Sequence, residues 1–335
     1  MFRLKKDPEK DFIVLCLTDP QMHGRQWAVS DPTLAVLLYT VRTLVMRHKP
    51  DLIVVAGDIA YAGHDGCDSS HDNFADLMES FGIPWAFVWG NHDDQGGPDF
   101  VRRTAKRYLQ KPHCLFEAGD VRMGCGNYVI AIEEDDRIVS ALLMMDSHDS
   151  CYDVKPYIDE NGVECVYDSS LNALQRVWYK EQVDALRAAG CEDTALIMHI
   201  PFSAYRDAYM AAYRDPSREA LDALPLAQTH AGAPCWNDAY KDSFGAMHEG
   251  ISDYGHDDGI FEMIRASDST RHVLVGHDHV NNWSIRYRDV LLTYITKCGM
   301  GDYADREFNG GTIVRIASDG IADVRHDFVD IRAIY

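Results

Sequence analysis

The amino-acid sequence predicts an α/β fold, in which buried strands alternate with helices. Two observations support this: short, almost entirely apolar runs that end in polar clusters, and amphipathic segments with helix start and stop signals between them. The apolar runs are rich in β-branched residues and have the length of strands buried on both faces. Because ligands bind beyond the carboxyl ends of strands in open α/β sheets, the polar clusters are expected to converge.

Five apolar runs are each followed by polar residues. In chain order, FIVLCL precedes Thr18 and Asp19, LIVVA precedes Gly57 and Asp58, WAFVW precedes Gly90, Asn91, His92 and Asp93, TALIM precedes His199, and HVLV precedes Gly276, His277, Asp278 and His279. Each cluster alone is weak evidence, because a Gly-Asp pair after a strand is usually only a turn. The functional hypothesis rests on the occurrence of all five clusters in this order.

Helices and further strands are predicted between these clusters. Asp31 is the expected N-cap of a first long helix, and Ser169 or Ser170 is the expected cap of a second that stops at Gly190. A shorter helix is expected at residues 258–267. Further strands are predicted at residues 139–145, 290–296 and 312–317, with a hairpin turn at 318–320 leading to the last strand.

A single domain covering residues 1–335 is predicted, because no linker or low-complexity tract divides the chain. The segment 204–257 is the least regular part and is expected to be an insertion near the mouth of the site. A dense group of polar residues after Asp58 is expected to form a solvated acidic loop: His64, Asp65, Cys67, Asp68, His71 and Asp72.

The composition limits the partners and the location. The chain has 32 Lys and Arg against 53 Asp and Glu, a net charge of -21, so no nucleic-acid or membrane partner is expected. An anionic ligand would have to be attracted locally, which favours metal ions. Nine cysteines without a Cys-x-x-Cys pair, and an N-terminal segment unlike a signal peptide, predict a cytoplasmic location.

The strand-end clusters contain a set of metal-ligand residues. Histidine mixed with carboxylate suits Mn, Fe or Zn better than Ca or Mg alone. Two histidines at i and i+2 after a buried strand, as in His277 and His279, are costly to bury without a partner. The candidate ligands are Asp19, Asp58, Asn91, His199, His277 and His279.

These motifs, in this order, resemble the calcineurin-like metallophosphoesterase superfamily. The segments IPWAFVWGNHDD, LLMMDSHDS, HIPF and VLVGHDHVNNW are similar to its small purple-acid-phosphatase-like branch. The resemblance implies a four-layer α/β/β/α sandwich of two mixed sheets, with two metal ions at the strand ends. It also implies hydrolysis of phosphate esters by a metal-bound hydroxide.

The resemblance also implies a role for each motif residue. Asp58 would bridge the two ions, Asp19 and His279 would bind one, and the other would be bound by Asn91, His199 and His277. His92 would be the general acid or transition-state donor, and Asp93 would orient its imidazole.

Two departures leave a further ligand open. The usual histidine of the first motif is Gln21, whose amide oxygen is a weaker, neutral ligand, and Tyr61 lies three residues after Asp58 as in the G-D-x-x-Y pattern of purple acid phosphatases. A Tyr61 phenolate would imply Fe(III) and a visible colour. Gln21 and Tyr61 are both predicted metal ligands, and His23 is a third candidate.

The expected function is therefore that of a phosphomonoesterase with a dinuclear centre of Fe, Mn or Zn, acting on a small phosphate ester. Two alternatives remain open. The same site in a phosphodiesterase would cleave cyclic nucleotides or other small diesters. A non-catalytic scaffold is also found among proteins of this fold, although retention of His92 and the metal ligands argues against it.

Overall fold

Two mixed β-sheets form the centre of the computed structural model. It describes residues 1–61, 67–94, 98–148, 157–158, 164–165, 170–212, 238–332 and 334. The strands, in chain order, are β1 (Phe2–Lys5), β2 (Phe12–Leu17), β3 (Leu52–Ala56), β4 (Trp85–Val88), β5 (Cys114–Leu115), β6 (Tyr128–Glu134), β7 (Arg137–Met144), β8 (Tyr157–Ile158), β9 (Glu164–Cys165), β10 (Thr194–Ile197), β11 (Thr270–Val275), β12 (Ser284–Tyr287), β13 (Val290–Tyr294), β14 (Gly310–Ala317) and β15 (Gly320–Phe328).

The two large sheets each combine a parallel core with antiparallel strands. The seven-stranded sheet has the order β1-β6-β7-β10-β11-β13-β12, in which β7, β10, β11 and β13 are parallel neighbours. The six-stranded sheet has the order β15-β14-β2-β3-β4-β5, in which β2 to β5 are parallel. Strands β8 and β9 form a separate two-stranded sheet.

Helices cover the outer faces of the two sheets. They are α1 (Pro32–His48), α2 (Cys67–Glu79), α3 (Asn91–Asp94), α4 (Pro98–Tyr108), α5 (Ala173–Ala188), α6 (Ala204–Ala212) and α7 (Ile260–Ser267), with 3₁₀ turns at Gly24–Trp27, Val121–Met123 and Asp238–Tyr240. None of the helices in the described ranges combines the length and the hydrophobicity that crossing a bilayer requires.

Alternating side chains of β7 show how the layers pack. Leu142 and Met144 belong to the core between the two sheets, whereas Ala141 and Leu143 belong to the core that includes Tyr205 and the other buried residues of α5, α6 and α7. This alternation follows from the two-residue repeat of a strand with both faces buried. The predicted four-layer α/β/β/α sandwich of two mixed sheets is confirmed.

The helix boundaries agree with the sequence in one case and correct it in another. Asp31 caps α1, because its side chain accepts a hydrogen bond from the Thr33 amide. Helix α5 begins later than predicted: Asn172, rather than Ser169 or Ser170, is its cap and forms a capping box with Gln175. The asparagine and the glutamine three residues later satisfy each other's backbone donors, which Ser170 does not achieve here, and Ser169 lies outside the described residues.

Two segments expected to be irregular contain helices. Residues 67–79 form α2 rather than a solvated loop, and His71 on this helix is fully buried. The segment 204–257 begins with helix α6, whose Tyr205 hydroxyl donates to strand carbonyls of the seven-stranded sheet. Residues 213–237 of that segment, and His64 and Asp65, lie outside the described residues.

Candidate metal centre

The five polar clusters meet at one edge of the two sheets. Asp19 and Asp58 follow the parallel strands β2 and β3, and His199 and His277 follow the parallel strands β10 and β11. The backbone amide of His277 donates to the Asp19 carboxylate at 3.1 Å, which joins the edge of one sheet to the edge of the other. The parallel order within each sheet places these strand ends together.

Three of the six candidate ligands at the strand ends have a left-handed backbone. The φ angles are 53° at Asp19, 52° at Asp58 and 76° at His277, a region that residues with a Cβ rarely adopt. Such conformations persist only where surrounding contacts hold them, and they are concentrated at functional sites. Gly90 allows the Asp58 carboxylate to approach the backbone closely, because a Cβ at residue 90 would lie 2.1 Å from this carboxylate.

Asp19, Asp58 and His199 bring their side-chain donor atoms within 4.8 Å of one another, and all three are buried. The Asp58 carboxylate accepts hydrogen bonds from the His92 amide and from Gln21 Nε2, both at 2.9 Å. His199 Nε2 lies 3.3 Å from Asp58 Oδ1. Two carboxylates and an imidazole buried this closely are a donor set that fits a transition-metal cation.

One buried oxygen of Asp19 has no hydrogen-bond donor among the described residues. Its Oδ2 accepts from the Thr18 hydroxyl at 2.6 Å, but no residue in the described ranges donates to its Oδ1. The Nε2 of His279 lies 3.5 Å from this oxygen. A buried carboxylate oxygen without a partner is costly, and a metal ion would satisfy it. The residues at this edge therefore fit the metal ions that the motifs imply.

His199 and His277 differ in their protonation. His199 Nδ1 donates to the Ala56 carbonyl at 2.7 Å, which leaves Nε2 towards Asn91 Oδ1 at 3.2 Å. Burial lowers the pKa of His199, but the charges of Asp58 and Asp19 outweigh it and raise that pKa to about 10. A cation at this place would replace the Nε2 proton. Burial and the charge on His199 lower the pKa of His277 to about 3, so its imidazole is neutral.

His92 lies at the exposed side of the cluster. Its side chain is 24 % exposed, and its Nε2 is 3.9 Å from Asp58 Oδ2. Its ring packs against Tyr61, with centroids 4.3 Å apart. The structure thus places this imidazole beside the candidate ligands with access to solvent, the position that proton transfer to a bound molecule requires.

The hydrogen bonds of Asp93 run to backbone amides, and its expected role in orienting the His92 imidazole stays a prediction. Asp93 is fully buried and accepts from the amides of Ile59, Ala60 and Gly90 at 3.3, 3.0 and 2.9 Å. These amides flank Asp58 and Asn91 in the chain. Asp93 therefore holds together the two loops that carry those side chains.

Buried His71 completes the support beneath these loops, a role that was not predicted from the sequence. Its Nε2 lies 3.4 Å from Asp93 Oδ1, and its Nδ1 lies 3.1 Å from the Tyr108 hydroxyl. Burial lowers the pKa of His71 to about 3, so it packs as a neutral ring. The sequence contains a signal for the burial of His71, because His71 and the apolar Phe74 are spaced to lie on one face of a helix.

The side chain of Gln21 is held between a carboxylate and a lysine. Its Nε2 donates to Asp58, while its Oε1 accepts from Lys297 Nζ at 2.7 Å. The oxygen expected to bind metal is thus engaged, and ligation by Gln21 requires the Lys297 hydrogen bond to break. Sequence reasoning overlooked Lys297, although it directly follows the apolar run 290–296, as the other site residues follow theirs.

Tyr61 lies between two imidazoles. Its ring stacks on His23 at a centroid distance of 4.7 Å and packs against His92 on the other side. Burial and a hydrogen bond with the Asp302 carboxylate raise the pKa of Tyr61, so its phenol is a neutral donor here. Coordination by Tyr61 as a phenolate stays a prediction, and His23 contacts the ring of this tyrosine.

The chain belongs to the calcineurin-like phosphoesterases, whose family model matches residues 12–281. This family uses a dinuclear metal centre. Over 95 % of the chain, the fold is similar to a dimetal phosphatase from Danio rerio, with 98 % of that protein covered, a TM-score of 0.59 and 12 % identity.

Two curated relatives are plant proteins named as purple acid phosphatases. The chain is 27 % identical to "Probable inactive purple acid phosphatase 29" of Arabidopsis thaliana over 75 % of its own length and 60 % of that protein's. It is 26 % identical to "Probable inactive purple acid phosphatase 14" of the same plant over 90 % of its own length and 74 % of that protein's. The resemblance to purple acid phosphatases is confirmed.

Proposed function

We propose that this chain is a metal-dependent phosphomonoesterase that acts on a small phosphate ester. The observation that carries the proposal is the convergence of buried carboxylates and imidazoles at one edge, including an Asp19 oxygen without a hydrogen-bond donor among the described residues. Membership in the calcineurin-like phosphoesterases supports the same class of reaction.

Each residue has a place in the proposed centre. Asp58 would be shared by two ions of Fe, Mn or Zn, one of them held by Asn91, His199 and His277 and the other by Asp19 and His279, with Tyr61 or Gln21 as the additional ligand that the motifs imply. When bound, such ions lower the pKa of water and neutralise charge on a phosphoryl group. The Ala56 carbonyl supports this assignment, because it fixes the ring of His199.

His92 is the proposed proton donor to the leaving alkoxide. Its side chain is partly exposed and its backbone amide is anchored to Asp58, so its ring stays beside the ligands while it faces solvent. Tyr61 covers one face of this imidazole and restricts its orientation. A positioned acid of this kind contributes about 10²–10⁴-fold to the rate.

The proposed location is the cytoplasm, and the thiols support it. Five cysteines whose side chains the structure describes are free: Cys16, Cys114, Cys125, Cys191 and Cys298. Burial raises the pKa of Cys16 and Cys298 to about 12, so these thiols are unreactive. Reduced, buried cysteines are typical of proteins in reducing compartments.

A substrate panel tests the proposed function. Metal-stripped protein is loaded with Mn²⁺, Zn²⁺ or iron and assayed with p-nitrophenyl phosphate, bis-p-nitrophenyl phosphate and cyclic AMP. Preferential hydrolysis of the monoester supports the proposal. Preferential hydrolysis of either diester identifies a phosphodiesterase instead. Absence of hydrolysis with every ion identifies a non-catalytic scaffold. This outcome has to be tested because the names of the two plant relatives contain the word "inactive".

The metal content and the visible spectrum of protein purified without a tag test the ligand assignment. A charge-transfer band together with bound iron supports Tyr61 as a phenolate ligand. A colourless protein with Mn or Zn leaves Tyr61 as the neutral partner of Asp302 that the structure describes.

A further inference from the structure

Lys297 is buried next to the candidate metal centre, on the segment that joins the two sheets. The chain leaves the seven-stranded sheet after β13, where the Ile295 amide donates to the Val275 carbonyl, and reaches the six-stranded sheet, where the Cys298 amide donates to the Thr18 carbonyl. Thr18 and Lys297 form a parallel bridge. This crossing places a lysine that is only 3 % exposed beside Asp19.

In the part of the chain that the structure describes, the ammonium group of Lys297 has two hydrogen-bond acceptors, and neither is a carboxylate. Its Nζ donates to the Asp19 backbone carbonyl at 2.8 Å and to Gln21 Oε1 at 2.7 Å. Among the described residues, no further acceptor lies within hydrogen-bond distance of its third N–H. A buried ammonium needs nearby negative charge. The carboxylates that act on it are those of Asp19, Asp58 and Asp302, two of which are proposed metal ligands.

Gln21 couples this lysine to the shared carboxylate. Its amide has one orientation that satisfies both neighbours, because the reverse would turn NH₂ towards the ammonium and oxygen towards Asp58. The centre therefore has two unlike sides. The imidazole side consists of Asn91, His199 and His277, and the lysine side consists of Asp19, Gln21, His279 and Lys297.

We propose that Lys297 is a built-in counter-cation of the lysine side, so that the ion held by Asp19 and His279 binds much more weakly than the ion on the imidazole side. The ammonium supplies positive charge to the same carboxylates that would hold that ion and repels a second cation. It also engages the Gln21 oxygen, which removes one ligand. This inference rests on the proposed function and specifies the affinities of the same site.

Titration of metal-stripped protein with Mn²⁺, followed by calorimetry and by the electron paramagnetic resonance of free Mn²⁺, tests the inference without any assay of activity. The wild-type protein is expected to bind one ion tightly and a second at least about 100-fold more weakly. Lys297→Met is expected to tighten the weak phase by about tenfold or more and to leave the tight phase unchanged.

Gln21→His is the second variant, since it keeps the lysine and adds an imidazole to the lysine side. It is also expected to tighten the weak phase. Lys6→Met is the matched control: Lys6 is another buried lysine, paired with Glu134 near the start of the chain, and its loss is expected to leave both phases unchanged. Thermal melts of each variant establish that it is folded.

Two equally tight phases in the wild-type protein, or a weak phase that Lys297→Met leaves unchanged, overturn the inference while the proposed function stands. If Lys297→Met fails to fold, Gln21→His decides: a weak phase unchanged in that variant overturns the inference. A wild-type protein that binds no Mn²⁺ and hydrolyses no phosphate ester overturns the proposed function and this inference with it.

Discussion

The imidazole side and the lysine side of the candidate centre are built from the same set of strand-end motifs but differ in charge. On the imidazole side, His277 is neutral, and His199, which is fixed by the Ala56 carbonyl and lies next to the Asn91 amide, gives up its Nε2 proton when a cation binds. On the lysine side, Asp19 is next to a buried ammonium. Two metal positions built from one ordered motif series are therefore not equivalent, because residues that contact the ligands, such as Lys297, set the local charge.

Asp58→Asn should have the largest effect, since Asp58 is shared by both sides. The amide has half the acceptor capacity of the carboxylate and no charge, so we expect both ions to be lost. The activity should fall by more than the roughly 10²–10⁴-fold decrease that loss of a general acid causes. Metal analysis and hydrolysis of p-nitrophenyl phosphate measure this. Full activity with intact metal content would refute the bridging role.

His92→Ala should reduce turnover by about 10²–10⁴-fold and leave the bound metal unchanged, because His92 is proposed to transfer a proton rather than to hold an ion. The turnover number and the metal content are measured together. His113→Ala is the control, since His113 is a partly exposed imidazole paired with Glu79. If His92→Ala releases metal, His92 is a ligand and the assignment of a proton donor is wrong.

His199→Gln and His279→Gln distinguish the two sides directly. His199→Gln should weaken the affinity of the tight Mn²⁺ phase by more than the ~10–100-fold loss that is typical when a hydrogen-bond partner of a ligand is mutated. His279→Gln should affect only the weak phase. Calorimetric titration of both variants measures this difference, and equal losses in both phases would show that the two sides are not separate.

Asp93→Asn should have the smallest effect on the metal, about 10–100-fold in affinity, because Asp93 supports the ligands without touching the ion. Its two oxygens accept three amides, so an amide in its place leaves a buried donor unpaired and costs ~1–3 kcal/mol of the free energy of unfolding. Asp193→Asn is the matched control, a partly buried carboxylate that accepts from the Ile321 amide. Denaturant unfolding measures the stability and a Mn²⁺ titration measures the affinity. If Asp93→Asn changes neither quantity, Asp93 does not hold the two ligand loops together.

The ligand motifs were predictable from the sequence because each one follows its strand directly. Asp19, Asp58 and His199 come within zero to three residues of an apolar run, and parallel strands bring such positions to one edge. The order of the motifs then indicated the family and the layered fold. Local spacing and a general rule of sheet architecture were sufficient for this part of the molecule.

The supporting residues were not predictable in the same way. Lys297 meets Asp19 across 278 residues of chain, through a crossing between two sheets that no local pattern encodes. The orientation of the Gln21 amide depends on that lysine. The amide bonds of Asp93 were not predictable either, because they depend on the left-handed turn at Asp58 that directs the amides of Ile59 and Ala60 towards this carboxylate.

The meeting of both sheets at this edge has a thermodynamic consequence for the whole chain. Asp19, Asp58 and Asn91 come from the six-stranded sheet, whereas His199, His277 and His279 come from the seven-stranded sheet. An ion bound by ligands of both sheets must dissociate before the sheets can separate. Free metal at 100 times its dissociation constant would therefore add about 2.7 kcal/mol to the free energy of unfolding, which makes the melting temperature a measure of metal supply.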